Sequence, residues 1–201
     1  MSRKLPRSFY NRPTLDVARD LLGKTICYRT VRRRLAGRIV EVEAYIGEDD
    51  PACHAAPGPT RRNRVMYGKP GFSYIYFIYG MYHCFNIVTE REGFPAAVLL
   101  RAAEPLEGLD VMAEKSPRSR PTMILSGPGK FCRSLGLTGR QSGVDLTGSL
   151  LYLRENSLPV GDIVVTRRVG INRGVDLPYR FFLSDSSAVS GPPELRRPVN
   201  P

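Results

Sequence analysis

The segment RIVEVEAYI, residues 38–46, constrains the fold more than any other part of the sequence. Its apolar and polar residues alternate, which predicts a β-strand because successive side chains of a strand point to opposite faces. One face would carry three apolar residues, Val40, Val42 and Ala44. The other would carry Glu41, Glu43 and Tyr45, with alternate residues about 7 Å apart. Because unpartnered carboxylates are costly to bury, we expect this second face to meet solvent or a polar cleft.

A second strand signal, YIYFIYGMYHCFN at residues 74–86, predicts a β-hairpin. Residues 72–78 and 82–88 alternate like strands, and Tyr79-Gly80 breaks the pattern between them. Since tyrosine is common in strands, an aromatic hairpin core is one interpretation. The alternative is that the rings stack on nucleic-acid bases, which contributes about 1–3 kcal/mol per base. We favour the alternative, because a tip of sequence YGMY would be an apolar wedge able to enter a base stack.

The remaining patterns predict a single α+β domain. Further strands are expected at residues 24–30, 96–103, 150–154, 163–168 and 179–183, and helices at 14–22, 104–114 (despite Gly108) and 126–135. The 201 residues show no internal repeat or composition shift, so one domain is the natural organisation. We assign residues 14–190 to that domain. Residues 1–13 would form a flexible basic arm, and residues 191–201 a flexible Pro-rich tail.

The charge of the chain indicates a polyanionic partner. Thirty Lys and Arg residues stand against 19 Asp and Glu residues, a net charge of +11. A domain this basic commonly binds nucleic acid, although charge for solubility alone is the simpler alternative. No apolar run approaches the roughly 18 residues of a membrane span, and the N-terminus lacks the apolar core of a secretory signal. We therefore expect no membrane association.

The metal-binding residue types are few and badly spaced for a metal site. The chain has four cysteines and two histidines, without a Cys-x-x-Cys pair. This pattern favours reduced, packed cysteines of a cytosolic protein over a zinc site. The sequence therefore predicts neither a metal nor another cofactor.

Two groups in the first half of the chain could carry acid–base chemistry. Glu41 and Glu43 could act as a glycosidase pair, one as acid and one as base or nucleophile, or could be solvated strand carboxylates. His54 lies in a loop rich in Pro and Gly, where it would be simply exposed or would form an aromatic wall with the tyrosines.

Three cationic side chains are candidates for phosphate contacts. The segment SGPGK at residues 126–130 lacks the spacing of a nucleoside-triphosphate loop. A helix beginning with glycines and Lys130 can still hold one phosphate. Arg62 and Arg64 are further candidates, unless they belong to a solvated loop.

The chain resembles the alkyladenine (3-methyladenine) DNA glycosylase family in several blocks. In order, these are RIVEVEAYIG, the ACH loop, TRRNR, YIYFIYGMYHCFN, LLRAAEPLEG and SGPGKFC, and the match runs from about residue 15 to residue 170. The resemblance implies a curved, mainly antiparallel β-sheet with a few flanking helices. It also implies a monofunctional enzyme that hydrolyses the bond between a damaged purine and its sugar, leaving an abasic site.

The resemblance assigns roles to individual residues. Glu43 would be the general base that activates water, and Arg101 would help to position that water. The base pocket would be formed by Tyr45, His54, Tyr76 and Asn86, with Asn86 discouraging guanine at the floor. The wedge in the minor groove would be Tyr79, with Met81 and Tyr82 beside it.

The same resemblance implies a substrate and a setting. The partner would be double-stranded DNA carrying 3-methyladenine, 7-methylguanine or hypoxanthine, of which hypoxanthine also needs protonation of the leaving group. The protein would act as a monomer, at the nucleoid in the cytoplasm of a bacterium or in the nucleus of a eukaryote. His83 departs from the family, which usually has an apolar or aromatic residue there.

Two rival hypotheses remain open on the residues alone. A non-catalytic nucleic-acid-binding module would use the same charge and tyrosines but would not need Glu43. A glycosidase acting on simple sugars would use Glu41 and Glu43 together and would show no salt-sensitive affinity for DNA.

Overall fold

The centre of the fold is an antiparallel sheet of eight strands in the order β3-β4-β5-β2-β1-β6, with β8 paired to β2 and β7 paired to β8. A computed structural model of the chain describes residues 3–31 and 33–198. The strands are β1 Thr25–Arg29, β2 Arg34–Ile46, β3 Ser73–Ile78, β4 Tyr82–Val88, β5 Ala96–Glu107, β6 Leu151–Arg154, β7 Ile163–Thr166 and β8 Arg180–Leu183. The helices are α1 Arg7–Tyr10, α2 Thr14–Leu21, α3 Leu109–Lys115 and α4 Pro128–Leu135. The predicted α+β fold with a curved, mainly antiparallel sheet is confirmed.

Strand β2 organises the sheet because it is long enough to have three neighbours. Residues 36–46 pair with β5, residues 34–38 pair with β1 and residues 41–43 pair with β8. The pairing with β5 shifts register around residues 39–42. Such bulges bend a strand and increase its twist, which lets one strand serve two partners along the same edge.

The hydrophobic core lies between one face of the sheet and the helices. Helix α2 buries Val17, Ala18 and Leu21. Helix α4 buries Phe131, and the centroid of its ring lies 6.1 Å from that of Phe85 in β4. Gly136, with φ of +75°, ends α4 as the sequence predicts for a left-handed position after a helix.

The helix expected at residues 104–114 is wrong in its first half. Residues 104–107 extend β5 and pair with β2, and the helix begins only at Leu109. Gly108 precedes the helix instead of interrupting it, with φ of +78°. A Cβ atom at Gly108 would lie 2.4 Å from Cδ2 of Leu35, so the strand-to-helix turn leaves no room for a side chain.

The N-terminal arm expected at residues 1–13 is corrected over its described part. In residues 3–13, α1 forms a short helix, and Leu5 and Tyr10 are buried in the core. Residues 1 and 2 lie outside the described residues. The chain before α2 is therefore packed against the domain wherever the structure describes it.

The C-terminal tail is partly ordered by the rest of the domain. Of residues 191–201, the structure describes 191–198, which include the 3₁₀ helix Pro193–Arg196. The backbone carbonyl of Leu195 accepts a hydrogen bond from the buried Arg180. Residues 199–201 lie outside the described residues.

Candidate active site

A cavity of about 590 Å³ opens between the β3–β4 hairpin, the loop after β2 and the loop after β7. It brings together six of the predicted site residues: Tyr45, His54, Tyr76, Tyr79, Asn86 and Arg101. These residues come from four strands and two loops, so the sheet is what assembles the site.

Glu43 lies directly behind the cavity wall. Its side chain is fully buried, so of the two surroundings expected for this strand face, solvent and a polar cleft, solvent is excluded for Glu43. Oε1 accepts a hydrogen bond from the backbone N–H of Val169 at 2.7 Å, and Oε2 accepts one from the Tyr45 hydroxyl at 2.9 Å. Both partners line the cavity. An ionised carboxylate offers about four acceptor positions, so Glu43 keeps acceptor capacity for a water molecule.

Arg101 links Glu43 to the rest of the site. Its Nη1 lies 3.2 Å from Oε1 of Glu43, and its Nε donates to Glu41 at 2.8 Å. Burial opposes the charge of Arg101, but the carboxylates of Glu43 and then Glu41 outweigh burial and raise its pKa. Arg101 is therefore a permanent cation between the two carboxylates, at the edge of the cavity.

Glu41 belongs to the protein interior and not to the cavity. Oε1 accepts from Nε of Arg101 and from Nε of Arg180, the latter at 2.7 Å, while Oε2 accepts from the backbone N–H of Ser190 at 2.6 Å. Like Glu43, Glu41 does not itself line the cavity, and of its three partners only Arg101 does. A glycosidase in which both carboxylates flank the substrate therefore has no support in this geometry.

The aromatic wall opposite Tyr45 is built from β3 and the loop after β2. The ring centroids of His54 and Tyr76 lie 4.3 Å apart, and Nδ1 of His54 hydrogen-bonds the Tyr74 hydroxyl at 2.9 Å. Burial, aided by the nearby charge of Arg62, lowers the pKa of His54 to about 4. The imidazole is therefore neutral at pH 7 and carries no second ring proton there.

The hydroxyl groups of the two wall tyrosines stay protonated. Burial and the Glu43 carboxylate raise the pKa of Tyr45, and burial followed by Cys84 raises that of Tyr76. Tyr45 thus remains a hydrogen-bond donor to Glu43. The walls of the cavity are therefore neutral rings. The ion pair of Arg101 and Glu43 lies at one end of the cavity.

Asn86 lies in the cavity wall on β4. It is 4% exposed, and its Nδ2 donates to the backbone carbonyl of Tyr74 at 3.1 Å. This bond fixes the amide plane against the sheet. Asn86 is thus a fixed polar group in the cavity wall.

The tip of the hairpin is exposed and conformationally strained. Tyr79 and Met81 are 71% and 64% exposed. Tyr79 has φ of +55°, a left-handed conformation that is uncommon for a bulky residue. Such strain clusters at functional positions. Tyr82 is 41% exposed and packs on the start of α4, where a Cβ at Gly129 would come within 2.7 Å of its ring.

The three predicted phosphate contacts are all exposed side chains. Arg62 lies nearest the wall, with its guanidinium carbon 5.2 Å from the Tyr76 ring and Nη2 donating to the carbonyl of Phe77. Arg64 is in the 3₁₀ helix Arg64–Tyr67, and Lys130 is in α4. Their contact with phosphate stays a prediction.

Sequence reasoning missed the loop after β7. Residues 169–173 line the cavity, and Val169 holds Glu43. It also missed Arg168, Asp50 and Ser190, which support the wall from behind. The residues of this loop, VGINR, match no motif that would have identified them.

The described residues contain no group of three or more His, Cys, Asp or Glu side chains arranged to hold a metal ion. Within residues 3–31 and 33–198, no helix is both long and apolar enough to cross a membrane.

Comparison with known proteins gives consistent matches along the chain. The family model described as methylpurine-DNA glycosylase matches residues 8–187. A protein of Methanocella arvoryzae is 51% identical over 190 residues, which cover 92% of this chain and 95% of the relative. Relatives from Myxococcus xanthus and Desulfitobacterium hafniense are 47% and 46% identical, and each alignment covers at least 94% of both chains. All three relatives carry the provisional name 3-methyladenine DNA glycosylase.

Proposed function

The chain belongs to the methylpurine-DNA glycosylase family, and from this premise we propose that it turns an alkylated purine out of duplex DNA and hydrolyses the bond between base and sugar. The observation that carries the proposal is the placement of Glu43. A buried carboxylate is bonded to Tyr45 and Val169, two groups that face an aromatic cavity. That cavity also contains Tyr79 of the exposed hairpin tip.

The tip supplies what base flipping needs. A base must leave the duplex before its glycosidic bond can be reached, which costs a few kcal/mol. Tyr79 would enter the minor groove and fill the gap, with Met81 and Tyr82 beside it, as apolar wedges do in other minor-groove proteins. The net charge of +11 favours association with the DNA backbone, and Arg62, Arg64 and Lys130 would contact phosphates.

The cavity suits a flat, cationic base. Alkylation of a ring nitrogen gives 3-methyladenine and 7-methylguanine a positive charge, and aromatic faces attract cations by about 0.5–2 kcal/mol. Tyr45 on one side and Tyr76 with His54 on the other would hold such a base. Asn86 would discourage unmodified guanine through a clash with its exocyclic amine.

The chemistry needs one base and one water molecule. Glu43 takes a proton from water, the water oxygen bonds to C1′ of the sugar, and the bond from C1′ to the purine nitrogen breaks. The electron pair leaves with the purine, whose positive charge is thereby neutralised. Arg101 would position the water beside Glu43. Hypoxanthine lacks that charge and needs a proton from elsewhere, since neutral His54 does not supply one.

The products are a free base and an abasic site in an unbroken strand. We propose that the protein acts as a monomer. It would work where the DNA is, at the nucleoid of a prokaryote or in the nucleus of a eukaryote.

A direct test uses duplexes that each carry one lesion, incubated with the protein in the absence of added metal. Chromatography would detect free base, and alkali treatment would reveal abasic sites. We expect release of 3-methyladenine and 7-methylguanine, with no strand break before alkali. Tight, salt-sensitive binding without any release would support the non-catalytic binding module instead.

A further inference from the structure

Arg168 and Asp50 form a buried ion pair directly behind the cavity. Nη1 of Arg168 donates to Oδ2 of Asp50 at 2.5 Å, and Nη2 donates to Oδ1 at 2.7 Å. The side chains are 0% and 3% exposed. We propose that Arg168, held by Asp50, is a positioning residue that sets the distance between the two aromatic walls and the place of the segment that holds Glu43. This inference rests on the proposed function.

Arg168 fixes the Tyr45 wall from the side away from solvent. Its guanidinium carbon lies 4.7 Å from the Tyr45 ring centroid and 5.3 Å from that of Tyr179, and Nη1 also donates to the carbonyl of Ala44 at 3.0 Å. A planar guanidinium can stack on a ring while its edges donate hydrogen bonds. The Tyr45 ring is thereby held against a group that is itself immobile.

Asp50 fixes the opposite wall. Its Oδ2 accepts from the backbone N–H of Ile46 at 3.1 Å, and its Oδ1 accepts from that of Ala52 at 3.1 Å. These bonds set the course of the loop that continues to His54. Both carboxylate oxygens of Asp50 accept hydrogen bonds from Arg168. The loop that carries His54 and the ring of Tyr45 are therefore both in contact with the same ion pair.

The same pair anchors the segment that contacts Glu43. Val169 follows Arg168 directly and donates its backbone N–H to Glu43. At the other end of the loop, the carbonyl of Gly174 accepts from Nη2 of Arg168 at 3.5 Å. Residues 169–173, which line the cavity, therefore lie between Arg168 itself and Gly174, whose carbonyl Arg168 binds.

The burial of this pair favours a positional role over a stabilising one. Removing two charges from water costs about as much as their attraction returns, so buried pairs are commonly no more stable than apolar side chains of similar size. Arg168 packs on Tyr45, Asp50 accepts a hydrogen bond from the loop that leads to His54, and Val169 follows Arg168 in the chain. A shift of about 1 Å in such a site can lower the rate 100-fold.

The test compares Arg168→Met, Arg168→Lys and Asp50→Asn with the matched control Arg38→Met. Arg38 is a buried arginine of β2 that pairs with Glu104 and the carbonyl of Pro159, and it does not line the cavity. For each variant, the measurements are the thermal midpoint, the dissociation constant for undamaged duplex and the single-turnover rate of 3-methyladenine release. All are made on the full chain, with rates taken well below the unfolding temperature.

We expect Arg168→Met and Asp50→Asn to lower the single-turnover rate roughly tenfold to 100-fold, with undamaged-duplex affinity unchanged. Arg168→Lys keeps the charge but cannot form the bidentate contact with Asp50. Its single-turnover rate should therefore lie between those of the wild type and Arg168→Met. Arg38→Met should keep the single-turnover rate of the wild type, even if its thermal midpoint falls as far as that of Arg168→Met. The inference would be overturned if, in all four variants, the loss of rate were explained by the loss of thermal stability alone. If the wild-type protein itself releases no base, the proposed function fails instead.

Discussion

Glu41 and Glu43, two positions apart on β2, share the guanidinium of Arg101. Its Nε donates to Glu41 at 2.8 Å, and its Nη1 lies 3.2 Å from Glu43. Both carboxylates are fully buried. Only Glu43 is bonded to the cavity residues Tyr45 and Val169, whereas Glu41 also binds the internal Arg180. The two residues therefore have different tasks, and their substitution should have different consequences.

Glu43→Gln should abolish chemistry while leaving the fold intact. The amide can still accept a hydrogen bond from Val169 but cannot take a proton from water. We expect the single-turnover rate of 3-methyladenine release to fall roughly 10²-fold to 10⁴-fold, with affinity for lesion duplex retained. A variant that releases base at the wild-type rate would show that another group is the base.

Glu41→Gln should act on stability. It leaves Arg101 and Arg180 sharing one neutral acceptor in the interior, and breaking a buried pair in this way costs about 3–5 kcal/mol. Urea unfolding monitored by circular dichroism would measure the loss. If Glu41→Gln unfolds like the wild type but releases no base, Glu41 would serve the chemistry and not the stability of the fold.

Local signals predicted the hairpin and α4 well. The strands β3 and β4 follow from tyrosine alternation broken at Tyr79-Gly80, and α4 follows from a glycine-flanked start and Gly136. Residues 104–107 were misassigned as helix because Glu and Leu favour helices locally. In the fold, their backbone pairs with β2 instead, a tertiary contact that overrides local preference.

The parts of the site that the sequence did not reveal are those that depend on distant contacts. The strand pattern indicates Glu43 and Tyr45, and the family resemblance assigns their roles and adds Arg101. Asp50 and Arg168 are 118 residues apart, and Ser190 lies 149 residues from the Glu41 carboxylate that it binds. No spacing within one segment encodes such pairs. Only the sheet brings them together.

The half-buried imidazole of His54 predicts a loss of stability in acid. Burial and Arg62 lower its pKa from 6.5 to about 4. Between these values the unfolded chain binds a proton that the folded protein does not, so the free energy of unfolding falls as the pH drops through this window. His54→Gln removes this titration. The stability of wild type minus that of His54→Gln should therefore decline from pH 7 to pH 4, as chemical denaturation at each pH would show. A difference that stays constant would contradict a buried neutral His54.

Tyr79→Gly should separate stability from activity. Glycine adopts positive φ without strain, so the free energy of unfolding should not fall. The wedge is lost, however, and flipping a paired base costs a few kcal/mol, so release from paired duplex should slow roughly tenfold to 100-fold. When the lesion lies opposite an abasic site, the substitution should slow release of the damaged base much less, because no base pair has to be broken. Tyr79→Phe, which keeps a ring, serves as the control. Equal slowing on both substrates would exclude a wedge function.

Lys130→Ala should weaken duplex binding by removing one contact with a phosphate. The helix that carries Lys130 begins beside the cavity, since Pro128 lines the cavity and Gly129 packs on Tyr82. Each phosphate contact that is lost should reduce the slope of log affinity against log salt by about 1. The matched control is Arg29→Ala, because Arg29 is exposed on β1, well away from the hairpin edge of the sheet. Fluorescence anisotropy from low to moderate salt would give both slopes. The same change in both variants would mean that net charge, and not contact by Lys130, governs the affinity for DNA.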